Sequence, residues 1–203
     1  MSEDLRQITI DTYNHSADKL ADYFAGFGSR VTDIDRAFEL AGNPVQPTVL
    51  EIGCGDGRDA KEIVRRTPHY LGMDLSEELI KIARRNVPEG QFEVADMADY
   101  EYPPDIDIAF AFASLLHLNK SEVRTVLSGL VQALRPNGIF YISSKYRPEY
   151  AEEVQDDQFG RRLFYYYNAD LIQELAGPAY GLAGSWESVH GHTTWFEMAL
   201  RKL

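Results

Sequence analysis

The stretch Val49-Leu50-Glu51-Ile52-Gly53-Cys54-Gly55-Asp56-Gly57-Arg58-Asp59 decides the fold. Its first residues read as a short buried strand, and the glycines at alternate positions then let the backbone approach a ligand that any Cβ would obstruct. The helix expected next, with Ala60, Ile63 and Val64 on one face, would direct its free N–H groups at whatever sits in the loop, a place suited to an anionic carboxylate. A strand, a glycine loop and a helix in succession open a parallel α/β sheet.

Outward from this stretch, short apolar runs alternate with helical patterns. Thr48–Ile52, Tyr70–Met73, Phe92–Ala95, Ile106–Phe112 and Ile139–Ser143 are the expected strands. The clearest helix precedes the fifth strand, with Ser121 as its cap and Val123, Val126, Leu127, Leu130, Val131 and Leu134 as one apolar stripe, stopped by Arg135-Pro136-Asn137-Gly138. Upstream, Tyr13, Ala17, Leu20 and Phe24 have the spacing of one amphipathic helix. Thr32 and Asp35 have capping-box spacing for a short second helix closed by Gly42. Downstream, Asn168 is placed to cap a helix through Leu171, Ile172 and Leu175, ended by Gly177-Pro178, and two strand-like runs around Gly191-His192 suggest an antiparallel hairpin. The acidic residues Glu149, Glu152, Glu153, Asp156 and Asp157 read as a solvated loop. The expected fold is a three-layer αβα sandwich on a seven-stranded, mostly parallel sheet with an antiparallel C-terminal hairpin. One domain spans 1–203: a helical cap over 1–46, a core over 47–145 and a closing segment over 146–203.

Composition narrows the chemistry. With 203 residues, 44% hydrophobic and 26% charged, the chain suits one well-buried domain. A formal charge of −12 argues against nucleic acid or anionic membrane partners, whose affinity depends on lysine and arginine neutralising phosphates. The lone Cys54 cannot form an internal disulfide or a cysteine-rich zinc site, so the cytoplasm is the expected compartment. MSEDLRQITIDTYNH lacks a signal-peptide pattern, and no apolar run is long enough to span a bilayer. His190 and His192 have no third ligand spaced with them, so no metal site is expected.

The strand ends carry the candidate site. The second strand ends at Asp74, where a carboxylate can accept both hydroxyls of an adenosine ribose; the competing role is a helix N-terminal residue before Ser76. The third ends in Val94-Ala95-Asp96-Met97, with a second carboxylate on the same edge. At this point residues 47–145 resemble the class I, Rossmann-like, S-adenosylmethionine-dependent methyltransferases. The resemblance implies that Glu51, Gly53, Cys54 and Gly55 hold the methionine part of S-adenosylmethionine, Asp74 the ribose, Leu75 and Met97 the adenine faces, and Asp96 the adenine amino group. It adds Ala113, at the fourth strand's exit, and Tyr13, from a helix closing over the cofactor. It also implies S-adenosylhomocysteine as product.

An Asn-Pro-Pro-Tyr run, which resembles the mark of amino-group methyltransferases of nucleic acid bases and glutamine, is absent from the fourth-strand exit, and a small-molecule acceptor is expected. His117 near that exit is a candidate general base; its alternative is a structural ring with one nitrogen on backbone. Lys145, Arg161, Tyr165 and Tyr166 are candidate acceptor contacts, in a run that also contains Tyr146, Arg162, Phe164 and Tyr167 and reads equally as a strand plugging the sheet edge. Two other functions stay open: a nicotinamide or flavin oxidoreductase, disfavoured by Gly-x-Gly-x-Gly in place of Gly-x-Gly-x-x-Gly, and a module that binds S-adenosylmethionine without turnover. A monomer and a dimer are both compatible with the sequence.

Overall fold

A computed structural model describes residues 4–203. Residues 1–3, the start of the stretch read above as lacking a leader, lie outside the described residues. A seven-stranded sheet runs in the order β3 (Gln91–Val94), β2 (Tyr70–Asp74), β1 (Val49–Ile52), β4 (Ile106–Phe112), β5 (Leu134–Lys145), β9 (Thr193–Lys202) and β8 (Tyr180–His190). The first five are parallel; β9 runs antiparallel to both β5 and β8. Strand order reverses between β1 and β4, and in open α/β sheets ligands bind in the crevice such a reversal leaves at the carboxyl edge.

Both faces of the sheet are covered, which is why its central strands β1 and β4 are buried almost throughout and mostly apolar rather than alternating. On one face α6 (Lys120–Ala133) packs Val123, Val126, Leu127 and Leu130 against Leu50, Ile52, Ala109 and Ala111, with α7 (Ala169–Ala176) beside it. On the other, α3 (Val31–Leu40), α4 (Ala60–Ile63) and α5 (Glu77–Asn86) bury Ile34, Phe38, Ile63, Ile80 and Ala83 against Val49, Ile108, Phe110 and Tyr141. Asn168 caps α7 by accepting from the Leu171 N–H, and Gly177 at φ +67° ends it, as the sequence implies. No helix among the described residues is long and apolar enough to cross a membrane.

Four local expectations are corrected. The single helix drawn through Tyr13–Phe24 is two, α1 (Leu5–His15) and α2 (Ala17–Ala25). Ser16 leaves helical geometry at φ −105°, ψ 13°, and its hydroxyl donates to the Phe159 carbonyl, so a tertiary hydrogen bond interrupts a continuous apolar stripe. Helix α3 starts at Val31 after Arg30, not at a Thr32 cap: the Arg30 N–H donates to Asp59 Oδ1 at 2.7 Å, which satisfies one helix-end donor from a distant segment. The cap of α6 is Asn119, not Ser121. Asn119 Oδ1 accepts from the Ser121 and Glu122 N–H groups and Glu122 Oε2 accepts from the Asn119 N–H, a full capping box contributing about 1 kcal/mol. Finally, the acidic loop is strand β6 (Ala151–Asp157), paired antiparallel with β7 (Gly160–Tyr166). Cross-strand register puts Asp156 opposite Arg161, and Arg162 pairs with Asp157 at 2.5 Å, so opposite charges support a strand that composition alone argues against.

The Arg135–Gly138 passage interrupts the helix as expected but lies within β5. Asn137 takes φ +65°, and the β4–β5 register shifts there, from Ile106 opposite Leu134 to Ile108 opposite Ile139.

Candidate active site

The carboxyl edge of the sheet opens into a cavity of about 1840 Å³. A pocket for one small molecule measures roughly 300–1,000 Å³, so the cavity has room for two molecules. Its floor is the loop after β1. The Gly53 and Cys54 N–H groups both donate to the Met73 carbonyl, at 2.7 and 2.9 Å, which ties the loop to the end of β2. Gly53 sits at φ +73°, and a Cβ there would lie 2.3 Å from the Ser114 Cβ; a side chain at this position has neither the space nor the backbone conformation. Gly55, at φ +56°, differs: an added Cβ would meet no protein atom and would project into open space, so what this glycine leaves free is room beside the cavity.

Buried carboxylates surround that space. Glu51 is 1% exposed and accepts from the Tyr70 hydroxyl at 2.6 Å. Burial, then the nearby charge of Asp59, pushes its carboxyl well above the usual range. Asp74 accepts from the Ser76 N–H with one oxygen and from the Gly55 N–H with the other, both at 2.9 Å. Burial raises it as well, against those backbone donors. Thus Asp74 both joins a helix N-terminal turn and lines the cavity, and a carboxylate with about four acceptor positions keeps capacity for a ligand beyond these backbone donors. Cys54 is buried in the same loop, and burial followed by the Asp74 charge pushes its thiol well up. Leu75 and Met97 line the cavity with Asp96, whose Oδ2 is paired with Arg6 from α1 at 2.5 Å and whose Oδ1 accepts from the Ala98 N–H. The Arg6 contact has no local signal in the sequence.

The opposite wall is assembled from distant segments. Ala113 turns the exit of β4 at φ +54°, its N–H donating to the Ser143 carbonyl. His117 follows in a single 3-10 turn, Leu115–His117. Its Nδ1 lies 2.8 Å from the Leu163 carbonyl and its Nε2 lies 2.8 Å from the Tyr13 hydroxyl. A carbonyl only accepts, so Nδ1 carries the proton and Nε2 accepts from Tyr13. Burial brings His117 down to about 4, hence neutral at pH 7, and the same burial raises the Tyr13 phenol. A neutral imidazole whose free lone pair already holds a phenol proton is better suited to orienting Tyr13 than to taking a proton directly.

Arg162 on β7 is 6% exposed, pairs with Asp157 and lies over Tyr13, Phe159 and Phe164; its NH1 donates to the Tyr13 hydroxyl at 3.4 Å. Lys145, the last residue of β5, lies 4.0 Å above the Phe164 ring and donates to Gln155 Oε1 at 3.4 Å. Of the expected acceptor contacts, the structure brings Lys145 and Tyr165 to the cavity but not Arg161 or Tyr166. Arg161 is exposed, and its carbonyl accepts from Thr12. The Tyr166 hydroxyl accepts from Gln155 and its ring lies under Arg147. The two-residue period of β7 puts Arg162 and Phe164 together on the cavity side, a signal available once that run is read as a strand. Arg30 and Gln155 were not foreseen. Each arginine lining the cavity is matched: Arg6 with Asp96, Arg30 and Arg58 with Asp59, Arg36 with Asp33, Arg162 with Asp157.

Comparison with known proteins agrees with this geometry. Residues 49–138 match the family model of a methyltransferase domain. Trans-aconitate 2-methyltransferase of Azoarcus sp. (strain BH72) is 32% identical over 97 residues, 47% of this chain and 38% of that protein. The Delftia acidovorans enzyme of the same name is 27% identical over 173 residues, 71% of this chain and 62% of its own length. The chain spans less than two thirds of the length of these curated relatives. Among solved structures, magnesium protoporphyrin IX methyltransferase from Synechocystis PCC 6803 with bound S-adenosylmethionine superposes with a TM-score of 0.76 at 16% identity, covering 100% of this chain and 99% of that one. Burkholderia thailandensis 1,6-didemethyltoxoflavin-N1-methyltransferase, solved with 1,6-didemethyltoxoflavin and S-adenosylhomocysteine, gives 0.76 at 18% identity, covering 97% and 88%. At these identities the structural likeness shows the fold, a Rossmann-like one shared with solved S-adenosylmethionine-dependent methyltransferases. Residues 49–138, the part that holds the glycine loop and the acidic strand ends, are similar to a methyltransferase domain.

Proposed function

We propose that the protein is an S-adenosylmethionine-dependent methyltransferase acting on a small-molecule acceptor. One observation carries this reading. A single cavity, large enough for two molecules, has the glycine loop with Glu51, Asp74 and Asp96 on one wall and Tyr13, His117, Lys145 and Arg162 on the other. The first wall fits the cofactor on its own chemistry. Glu51 is a buried carboxyl raised by desolvation, which an ammonium group would compensate; Asp74 keeps acceptor positions for ribose hydroxyls; the Gly55 side of the loop is open. Leu75 and Met97 supply apolar surfaces for adenine, Cys54 completes the loop, and Ala113, facing the loop from the exit of β4, stands beside the methionine part.

When bound, S-adenosylmethionine supplies a methyl group on a sulfonium, already activated for in-line displacement. The chain's residues then have to position an acceptor, exclude water and, for a protonated acceptor, receive a proton. Helix α1 and the β6–β7 hairpin roof the second wall, and His117 holds the Tyr13 hydroxyl towards it. Small molecules are the acceptors named for the trans-aconitate and 1,6-didemethyltoxoflavin relatives, and a net charge of −12 fits such a substrate better than a nucleic acid.

Isothermal titration with S-adenosylhomocysteine and NADH, on wild type and Asp74→Asn, tests the reading. Micromolar S-adenosylhomocysteine binding, weakened at least tenfold by the substitution, is expected; NADH binding with no response to S-adenosylhomocysteine overturns it.

A further inference from the structure

Lys145 is out of keeping with its surroundings. Every arginine lining the cavity has a carboxylate partner, whereas Lys145, half-buried at the end of β5, has none within salt-bridge distance among the described residues. Its polar contact is the Gln155 amide oxygen at 3.4 Å, a long hydrogen bond. That amide is itself held in place, because its nitrogen donates to the Tyr166 hydroxyl and to Glu153 Oε1, which turns the oxygen towards Lys145. The other charges acting on Lys145 are already paired with one another: Arg162 with Asp157, and Arg147 with Glu153. The local sum is therefore one uncompensated positive charge, in a protein whose formal charge is −12. Burial and the charge of Arg162 hold the ammonium below the ordinary lysine range, a cost that a partner anion would reverse.

The surroundings also limit the shape of that anion. Phe164 lies beneath the ammonium, and Trp195 stands opposite Lys145 in the β5–β9 register and lines the same cavity. Ala113 and Leu116, at the exit of β4, pack into the same apolar group as Phe164 and Trp195. An anion on Lys145 would thus lie beside this apolar group and next to the strand end assigned above to the methyl-donor side. With the neighbouring charges paired off, one unmatched positive charge is balanced by a monoanion and over-compensated by a phosphate dianion.

We infer that Lys145 is the anion seat of the acceptor subsite and that the acceptor is a flat, apolar or aromatic molecule bearing a single carboxylate, placed by the ammonium with the apolar group of Phe164 and Trp195 beside it. This assignment rests on the methyltransferase reading for the role of the site, though not for the charge balance that motivates it. The carboxylate is a handle for recognition.

The test uses protein saturated with S-adenosylhomocysteine, titrated with benzoate, trans-cinnamate and indole-3-acetate and with their primary amides, on wild type, Lys145→Met and Lys145→Arg. At least one carboxylate is expected to bind wild type tenfold or more tightly than its amide. Lys145→Met should erase that preference and Lys145→Arg retain most of it, with S-adenosylhomocysteine affinity within twofold of wild type in both. Amides binding as tightly as carboxylates, a preference surviving in Lys145→Met, or no carboxylate binding to the loaded protein overturns the inference and leaves the cofactor assignment intact. Absence of S-adenosylhomocysteine binding overturns the cofactor assignment instead, and the same carboxylate titration on the unloaded protein then decides the role of Lys145.

Discussion

The two walls of the cavity are built in opposite ways. Glu51, Gly53, Gly55 and Asp74 belong to one short stretch of chain, and backbone hydrogen bonds from the Gly53, Cys54 and Gly55 N–H groups to Met73 and Asp74 hold the loop in place. Tyr13, His117, Lys145 and Arg162 come from four separate segments, with Tyr13 and Arg162 as many as 149 positions apart, and side-chain contacts join them. A wall made from backbone depends on glycine and strand-end positions and tolerates little change. A wall made from side chains on a cap and a hairpin can be rebuilt without disturbing the sheet, which is where a family gains new acceptors while keeping one cofactor.

The largest expected effect breaks the first wall at its backbone. Gly53→Ala should cost 3 kcal/mol or more, roughly the sum of a left-handed residue and a clash with Ser114, read from denaturant unfolding. Gly55→Ala should cost only about 1–2 kcal/mol yet weaken S-adenosylhomocysteine binding more than tenfold, since its methyl enters ligand space and not protein. Equal unfolding costs for the two variants would contradict the distinction drawn between them.

The second wall is tested through pH. Folded His117 titrates at about 4 against an ordinary value of 6.5, so between these pH values the unfolded chain binds the proton and the folded one does not. Its contribution is present above pH 6.5 and is lost as pH falls towards 4. The stability of wild type relative to His117→Asn should therefore shrink by about 3 kcal/mol between pH 7 and pH 4. A pH-independent difference would mean that the ring is solvated and that its contact with Tyr13 is absent in solution.

Glu51 has the opposite sign. Its folded carboxyl is raised above the unfolded one, so it favours folding at low pH and loses that contribution as pH rises. Glu51→Gln should leave the ligand-free protein more stable by about 1 kcal/mol at pH 8, with the gain vanishing near pH 4, while S-adenosylhomocysteine affinity falls at least tenfold. A variant destabilised at pH 8 would show that Tyr70 alone compensates the charge.

The smallest effect concerns the contact between the walls. Arg6→Gln removes a partly exposed ion pair worth under about 1 kcal/mol and frees Asp96 Oδ2, so S-adenosylhomocysteine should bind several-fold more tightly at little cost in melting temperature. Weaker binding would show instead that Arg6 helps to shape the adenine side.

Legibility followed the same division. Periodicity placed the five parallel strands, the α6 stripe and the closing hairpin, because each is a local pattern of apolar side chains with a turn residue at its end. It failed at Ser16, where a hydroxyl reaching Phe159 splits a helix whose stripe is unbroken, and at residues 151–157, where pairing with β7 makes a strand of acidic residues. Capping also shifted: Asn119, not Ser121, opens α6, since the Glu122 side chain selects the residue three positions before it.

The amino-acid sequence by itself determined the glycine loop, the carboxylates at successive strand ends and the sheet that brings them to one edge, because strand length, side-chain alternation and glycine conformation act within a few residues. Only the tertiary structure decided that Arg6 occupies Asp96, that His117 holds Tyr13, that Arg162 and not Arg161 faces the cavity, and that Lys145 keeps an unmatched charge. These outcomes depend on which distant side chains meet and on which charges find partners in a space sheltered from water, and neither is encoded in local spacing.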